Sequence, residues 1–383
     1  MIQQNELKAE DIRRYTQKVL QKHVDIQVNG YCCHTEMILD VILKASAENS
    51  SIEAASADLE GVADSNTMRE YLNAALDANK LREQETAMNA ALAESIPSSL
   101  QRKALEVAID FHDEPFYGKQ EALRKVTCHG QAKKGTTHFV RIATAYVIWK
   151  QVRLTLAVRY VLPEEETLGV LQFLLERLNV LGIASRVLYL DKGFAGGAVV
   201  RYLQEQHQPT ILACPIRGKD GGIRALCKGR SSYSTTYTFT DGTQVTLALK
   251  ASLVPDKTGL RRRKWLAFIV IALDWSVEKV HHEYRRRFGV ECSYRLLRRV
   301  RATTTSRNPA IRFFLLSVGL ILVNGWAFLR WEFARLHAPG PRRVNEQLFR
   351  FHRFTRLLIR AIEQIYGVIM ALPTHCSPQS VIY

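Results

Sequence analysis

Between residues 6 and 92 apolar residues recur three and four apart and proline is scarce, a pattern that predicts helices. Residues 11–22 and 35–44 are the clearest amphipathic stretches. Ser51 stands where a cap is needed for a helix over 52–59, and Ser65 stands likewise for a helix over 66–78. The turn between them, residues 60–64, contains Gly61. Two short helices about such a turn predict a helix-turn-helix offering Asn66, Thr67 and Arg69 to a DNA groove; an ordinary helical bundle fits the same pattern. Ile96, Pro97, Ser98 and Ser99 read as a linker.

From Leu100 the period changes. Residues 104–109 form an apolar strand ending at Asp110, and residues 111–118 read as a loop. Residues 138–149 and 152–162 are β-rich and separated only by Lys150 and Gln151, which predicts a hairpin. A helix over 164–181, a strand over 186–190 ending at Asp191, a helix over 198–206 and a strand over 210–214 follow. The order β–β–β–α–β–α–β predicts an α/β fold of the ribonuclease H-like kind, a mixed sheet with flanking helices. Residues 217–264 break the rhythm with Gly, Ser, Thr and Tyr in alternating stretches and end in the basic run at 261–264, which predicts a β-rich insertion. A strand over 265–273 leads through Asp274, the expected helix cap, into the basic stretch 281–301. The predicted organisation is a small all-α N-terminal domain (1–97), an α/β domain (100–335) carrying the insertion, and an Arg-rich helical C-terminal region (336–383) with a helix over 345–366.

Charge sharpens this division. The net charge is +16, but residues 1–100 hold nine Lys and Arg against 16 Asp and Glu, which leaves 44 against 21 for the rest. The second part of the chain therefore favours a polyanion, nucleic acid before an anionic membrane surface. Residues 313–329 are 17 uncharged residues between Arg312 and Arg330, the lower limit for a membrane span. Ser317, Gly319, Asn324 and Gly325 within it favour a helix buried in a basic domain, with no membrane partner. Seven scattered cysteines, two of them adjacent at Cys32 and Cys33, predict reduced thiols, and the polar N-terminus carries no signal peptide; a cytoplasmic location is expected.

Three acids stand out. Asp110 and Asp191 each follow an apolar strand, and in an open α/β sheet sites are built at that edge. Glu291 lies in 281–301 among seven arginines. At about 100° per residue, Tyr284, Arg287, Glu291 and Arg298 fall within an arc of roughly 60° on one helix face. Three carboxylates can hold two Mg²⁺ ions, with Mn²⁺ as a substitute, and leave positions open for a substrate phosphate. Arg287 and Arg298 would then meet phosphate charge. Each acid also has a plainer role open to it: a strand-end Asp caps a turn, and Asp113 competes with Asp110. His112, His281 and His282 lack transition-metal spacing, and the His281–His282 pair suits a phosphate or solvent contact.

The pattern Tyr284-x2-Arg287-x3-Glu291-x6-Arg298 resembles the YREK signature of DDE transposases from bacterial and archaeal insertion sequences, with arginine where that family usually has lysine. LYLDKGF at 188–194 resembles the family's second-Asp block, and AIDFHDEPFYGK at 108–119 its first. The resemblance spans roughly residues 100–335. It implies Asp110, Asp191 and Glu291 as metal-binding catalytic acids, and a β insertion between the last two, where one is read independently. It implies Tyr284, Arg287 and Arg298 as DNA contacts, with an aromatic of the insertion (Trp265, Tyr233 or Tyr237) stacking on a flipped base; His282, at the helix start, is a further candidate DNA contact. The implied activity is cleavage at transposon ends followed by attack of the freed 3′-hydroxyl, on double-stranded DNA with terminal inverted repeats and a target, by a homodimer. A ribonuclease H-like nuclease or resolvase without strand transfer, or a DNA-binding protein that has lost catalysis, are the alternatives.

Overall fold

The computed structural model describes residues 6–28, 30–119, 121–149, 152–255, 259–336, 339 and 342–371, and for residues 122, 123, 148, 288 and 290–292 the backbone alone. The chain begins with helices α1 (Ala9–His23), α2 (Thr35–Glu48), α3 (Ile52–Ala57), α4 (Ser65–Ala75) and α5 (Leu81–Ala93). Ser51 caps α3 by accepting from the Ala54 N–H at 3.0 Å; α4 is capped by Asp64 rather than Ser65, through the Asn66 N–H at 2.7 Å.

The sheet elements follow: β1 (Ala104–Phe116), α6 (Glu121–Arg124), β2 (Cys128–Lys133), β3 (Thr136–Trp149), β4 (Val152–Val161), α7 (Thr167–Val180), β5 (Ala184–Leu190), α8 (Gly197–Glu205) and β6 (Thr210–Cys214). Then come α9 (Ile223–Leu226), β7 (Tyr233–Thr238), β8 (Gln244–Pro255), β9 (Arg261–Ile271), α10 (Val277–Tyr284), α11 (Phe288–Leu297), α12 (Pro309–Phe333) and α13 (Phe351–Tyr366). β1, β3 and β4 form an antiparallel set, and β5 and β6 continue it parallel to β1, which is the ribonuclease H-like arrangement. β9, β8 and β7 add to the far edge antiparallel, so the strands of the expected insertion extend the main sheet. The basic run at 261–264 is exposed at the start of β9, which begins there rather than at Trp265.

Both faces of the sheet are covered, which is why its strands are apolar almost without alternation. Val107, Ile109, Leu188 and Leu190 pack under α7 and α8, while Ala108, Tyr146, Tyr160 and Tyr189 share a core with α12 and the N-terminal helices. The 25-residue α12 is apolar and long enough to cross a membrane by composition, yet it is mostly buried between sheet and helices. Its polar residues explain themselves there. Asn324 accepts from the Thr155 N–H at 2.9 Å and donates to the Thr155 C=O at 2.7 Å. From α5, Asn89 does the same for Val158, and Glu85 accepts from the Tyr160 N–H at 2.6 Å. Edge strand β4 thus has its outward backbone groups satisfied by side chains. A Cβ at Gly319 would stand 2.7 Å from Leu297 and 3.0 Å from the Val300 carbonyl, so glycine permits α11 to approach α12.

Three expectations change. β1 runs on to Phe116 instead of stopping at Asp110, because β3 pairs with it as far as Phe116↔His138. β1 pairs with β5 only to Ile109↔Leu190, so Pro115 falls on an edge where its missing N–H costs nothing. The C-terminal helix starts at Phe351, since Asn345 turns the chain by accepting from the N–H groups of Gln347 and Leu348. Asp274 does not cap α10; Ser276 does, accepting from the Lys279 N–H at 3.3 Å. The Gly61 turn docks on the end of α13 through the Gly61 N–H to the Tyr366 C=O at 2.8 Å. Arg69 folds back onto Asn66 and the Ser65 carbonyl. Cys32, Cys33, Cys128, Cys214 and Cys227 are free thiols.

Candidate active site

The parallel register of β1 and β5 ends at Ile109↔Leu190, and the next residue on each chain is an aspartate. Asp110 and Asp191 are therefore neighbours at the carboxyl edge of the parallel strands. By the alternation of a strand, Asp110 faces the α10–α12 side, whereas Asp113 faces the other and is held by Arg141 in a bidentate pair at 2.7 and 3.1 Å. Asp113 is thereby excluded as the partner of Asp191.

Arg287 closes the pair. It is buried, and its guanidinium stands 2.7 Å from Asp110 Oδ2 and 3.7 Å from Asp191 Oδ1. Burial pushes the Asp110 carboxyl up to about 6, with Arg287 opposing the shift and the Asp191 charge adding to it. Among the described residues Arg287 is the cation within ion-pair distance of both acids, while Lys192 and Arg285 line the adjoining hollow.

Two tyrosines fix the backbone beneath these acids. Tyr284 is buried: its hydroxyl donates to the Leu190 C=O at 3.1 Å, and its ring packs on Phe268 at 4.8 Å. Burial, foremost, raises its pKa. Tyr294 donates to the Asp110 C=O at 3.3 Å and lies 2.7 Å from the Thr144 hydroxyl. Sequence reasoning missed Tyr294, though the signal was present: seven residues after Arg287 is the same helix face.

Residues 281–301 are not one helix. Arg285–Arg287 form a 3-10 turn between α10 and α11. Three residues per turn instead of 3.6 advance the phase by about 20° each, so the 100° projection slips by roughly 60° across the break. Arg286 points to Glu106 and Glu283, at 2.9 and 3.0 Å, while Arg287 turns inward. Glu291 lies on α11, and its side chain is outside the described residues. Arg298 is exposed at the C-cap of α11, and His282 is exposed on α10.

Trp265 is half-buried on β9 and edge-on to Tyr233 at 6.2 Å. It lines a hollow of about 430 Å³ together with Asp191, Lys192, His281, Tyr284 and Arg287. The structure thus brings Trp265 to the same hollow as the acid pair's Asp191, while Tyr237 packs against Phe239. Oxygen donors alone make up the Asp110–Asp191 pair, a set that suits Mg²⁺ or Mn²⁺, and the place already accepts the positive charge of Arg287. Among the described residues no group of three or more His, Cys, Asp and Glu is arranged around a metal position.

No protein-family model and no curated protein matches the sequence. The fold is similar to the cryo-EM structure of piggyBac transposase in a synaptic complex with hairpin DNA, with a TM-score of 0.57 and 11% identity over 95% of this chain and 80% of that one.

Proposed function

We propose that the protein is a DNA transposase of the DDE type, cleaving phosphodiester bonds at Asp110 and Asp191. The observation that carries this reading is the meeting of the two aspartates at the end of the β1–β5 register, on a fold similar to that of a transposase bound to DNA. Asp110 and Asp191 would hold a divalent metal, with Glu291 on α11 as the further acid. When bound, the metal would supply Lewis-acid stabilisation of the phosphorane and an activated attacking oxygen. Arg287 balances the carboxylates and holds their spacing. Tyr284 and Tyr294 hold the Leu190 and Asp110 carbonyls, and so the strand ends that carry the acids. The exposed arginines of β9 and those on α13, with Arg298 and His282, supply the charge that tracks a DNA backbone.

The finer reading is a YREK-type enzyme of insertion sequences. Water nicks at the element end, the freed 3′-hydroxyl attacks the target, and Trp265 offers its ring to an unstacked base. Two copies would act on two ends.

The test is nicking and joining, with Mg²⁺ or Mn²⁺, of DNA carrying the sequences on either side of the coding region, where terminal inverted repeats are expected. Loss of metal stabilisation worth several kcal/mol predicts that Asp191→Asn and Glu291→Gln lower cleavage by about 1,000-fold or more, with circular dichroism unchanged. Wild-type cleavage by either variant overturns the reading. Nicked products that are never joined reduce it to a nuclease, and binding without any cleavage to a DNA-binding protein.

A further inference from the structure

A second hollow, of about 460 Å³, opens at the far end of β1 and shares no residue with the hollow around Asp191. Four cations line it, Lys134, Arg301, Arg307 and Arg312, against one acid, Glu114. That acid is already committed. Glu114 is ion-paired with Arg301 and takes a 2.5 Å hydrogen bond from His112. No ion pair among the described residues reaches Lys134, Arg307 or Arg312.

Arg312 is the informative one. It is half-buried at the start of α12, lies over the Phe116 ring at 5.3 Å, and donates to the Ser306 C=O at 2.6 Å and the Pro115 C=O at 3.3 Å. These neutral carbonyls fix the fork without cancelling its charge, and burial pulls its pKa down. A partly desolvated cation held this way is costly until an anion joins it. The rim is polar and shaped by the hydroxyls of the 302–308 loop: Thr304 Oγ1 accepts from the Ser306 N–H at 3.0 Å, and Ser306 Oγ from the Asn308 N–H at 3.1 Å. Shape, hydroxyls and unpaired guanidinium together suit a tetrahedral oxyanion, for which arginine's fork is well matched.

Glu114 marks how far this lies from the acid pair. It is four residues beyond Asp110 on the same strand face, about 13 Å at the rise of an antiparallel strand. That separation lies within the span of a few successive nucleotides of one strand. We propose that the hollow seats a backbone phosphate of the same DNA strand whose reacting phosphate lies at Asp110 and Asp191, with Arg312 and Arg307 as its ligands and Lys134 at its rim. The assignment of the anion to DNA rests on the function proposed above; the shared chemistry is a phosphate group, which a free nucleotide would also bring.

The experiment measures binding of a fluorescent duplex by anisotropy across a salt series. The variants are Lys134→Ala/Arg307→Ala, which alters exposed side chains, and Arg312→Lys, which keeps the charge and removes the fork. Lys134→Ala/Arg307→Ala should make the slope of log affinity against log salt shallower by about 1 for one lost phosphate contact, and Arg312→Lys should weaken binding several-fold at an unchanged slope, both alike for all sequences. An unchanged slope in the first together with unchanged affinity in the second overturns the proposal. ATP at matched ionic strength separates the sources: ATP that binds wild type but not Lys134→Ala/Arg307→Ala, with the duplex slope unaltered, assigns the hollow to a nucleotide and overturns it for DNA. Asp191→Asn, measured alongside, keeps the wild-type slope. If its cleavage is also wild-type, the acid pair's role fails while the phosphate seat stands; if cleavage is lost but the hollow variants bind normally, the reverse holds.

Discussion

Asp110 and Glu114 lie on one face of one strand, four residues apart, and their carboxyl groups are driven in opposite directions. Desolvation lifts Asp110 to about 6; Glu114, half-buried like it, is brought down to about 2 because His112 and Arg301 overcome the cost of desolvation. The contrast lies in neighbours. Asp110 stands where β5 ends, so a second acid, Asp191, comes beside it and both share Arg287. Glu114 stands beyond the last β5 residue, where no strand brings another acid and the segment between α11 and α12, with the start of α12, brings arginines instead. Within one strand the fold sets one acid beside a second acid and the other among cations. On the function proposed above, the first arrangement suits a metal and the second a phosphate.

The comparison can be broken most sharply at Glu114. Its pKa is depressed from 4.5 to about 2, so the ionised form stabilises the fold above pH 4.5, and that contribution fades as pH falls through 2. Glu114→Gln should cost on the order of 3 kcal/mol at neutral pH, read as a lower urea midpoint, and the deficit should shrink by about half near pH 3. A deficit independent of pH would remove ionisation as its cause.

Asp110→Asn should act in the opposite sense and more weakly. With the native pKa raised above the unfolded value, the group's contribution is intact below pH 4 and is lost as pH rises through about 6. In chelator, the neutral variant should therefore be more stable than wild type near pH 8, by about 1 kcal/mol once the weakened pairing of Arg287 is subtracted, and no more stable near pH 4. A loss of stability at both pH values would class Asp110 with Glu114 as a structural ion pair.

The smallest effect belongs to Tyr284→Phe, which removes one hydrogen bond to Leu190 and about 1 kcal/mol of stability. It should lower nicking, because it loosens the Asp191 end of the pair, while the salt dependence of DNA binding stays at the wild-type slope. A change in that slope would make Tyr284 a DNA contact after all.

Much of this contrast was legible in the sequence because it rests on local pattern. The strand at Thr210–Cys214, the strand ending before Asp191 and the apolar α12 each announce themselves by an uninterrupted hydrophobic run. What was not legible depends on partners distant in sequence. Phe111 to Phe116 read as a loop because Pro115 and three polar or charged neighbours lack strand character; only pairing with β3 makes a strand of them. The helical projection of 281–301 could not foresee the 3-10 turn at Arg285–Arg287, and the burial of Tyr284 depends on its packing against β5 and β9. The commitment of Asp113 to Arg141, which decided between two candidate acids, depends on cross-strand register.

The side chains that finish edge strand β4 carry a mechanical meaning. Glu85 and Asn89 come from α5 and Asn324 from α12, and they stand in for the neighbour that a sheet edge would otherwise seek. The N-terminal helices are in this respect a built-in substitute strand. Cutting them away would uncover an adhesive margin along β4, inviting a second sheet to dock there and seeding the stacking of chains.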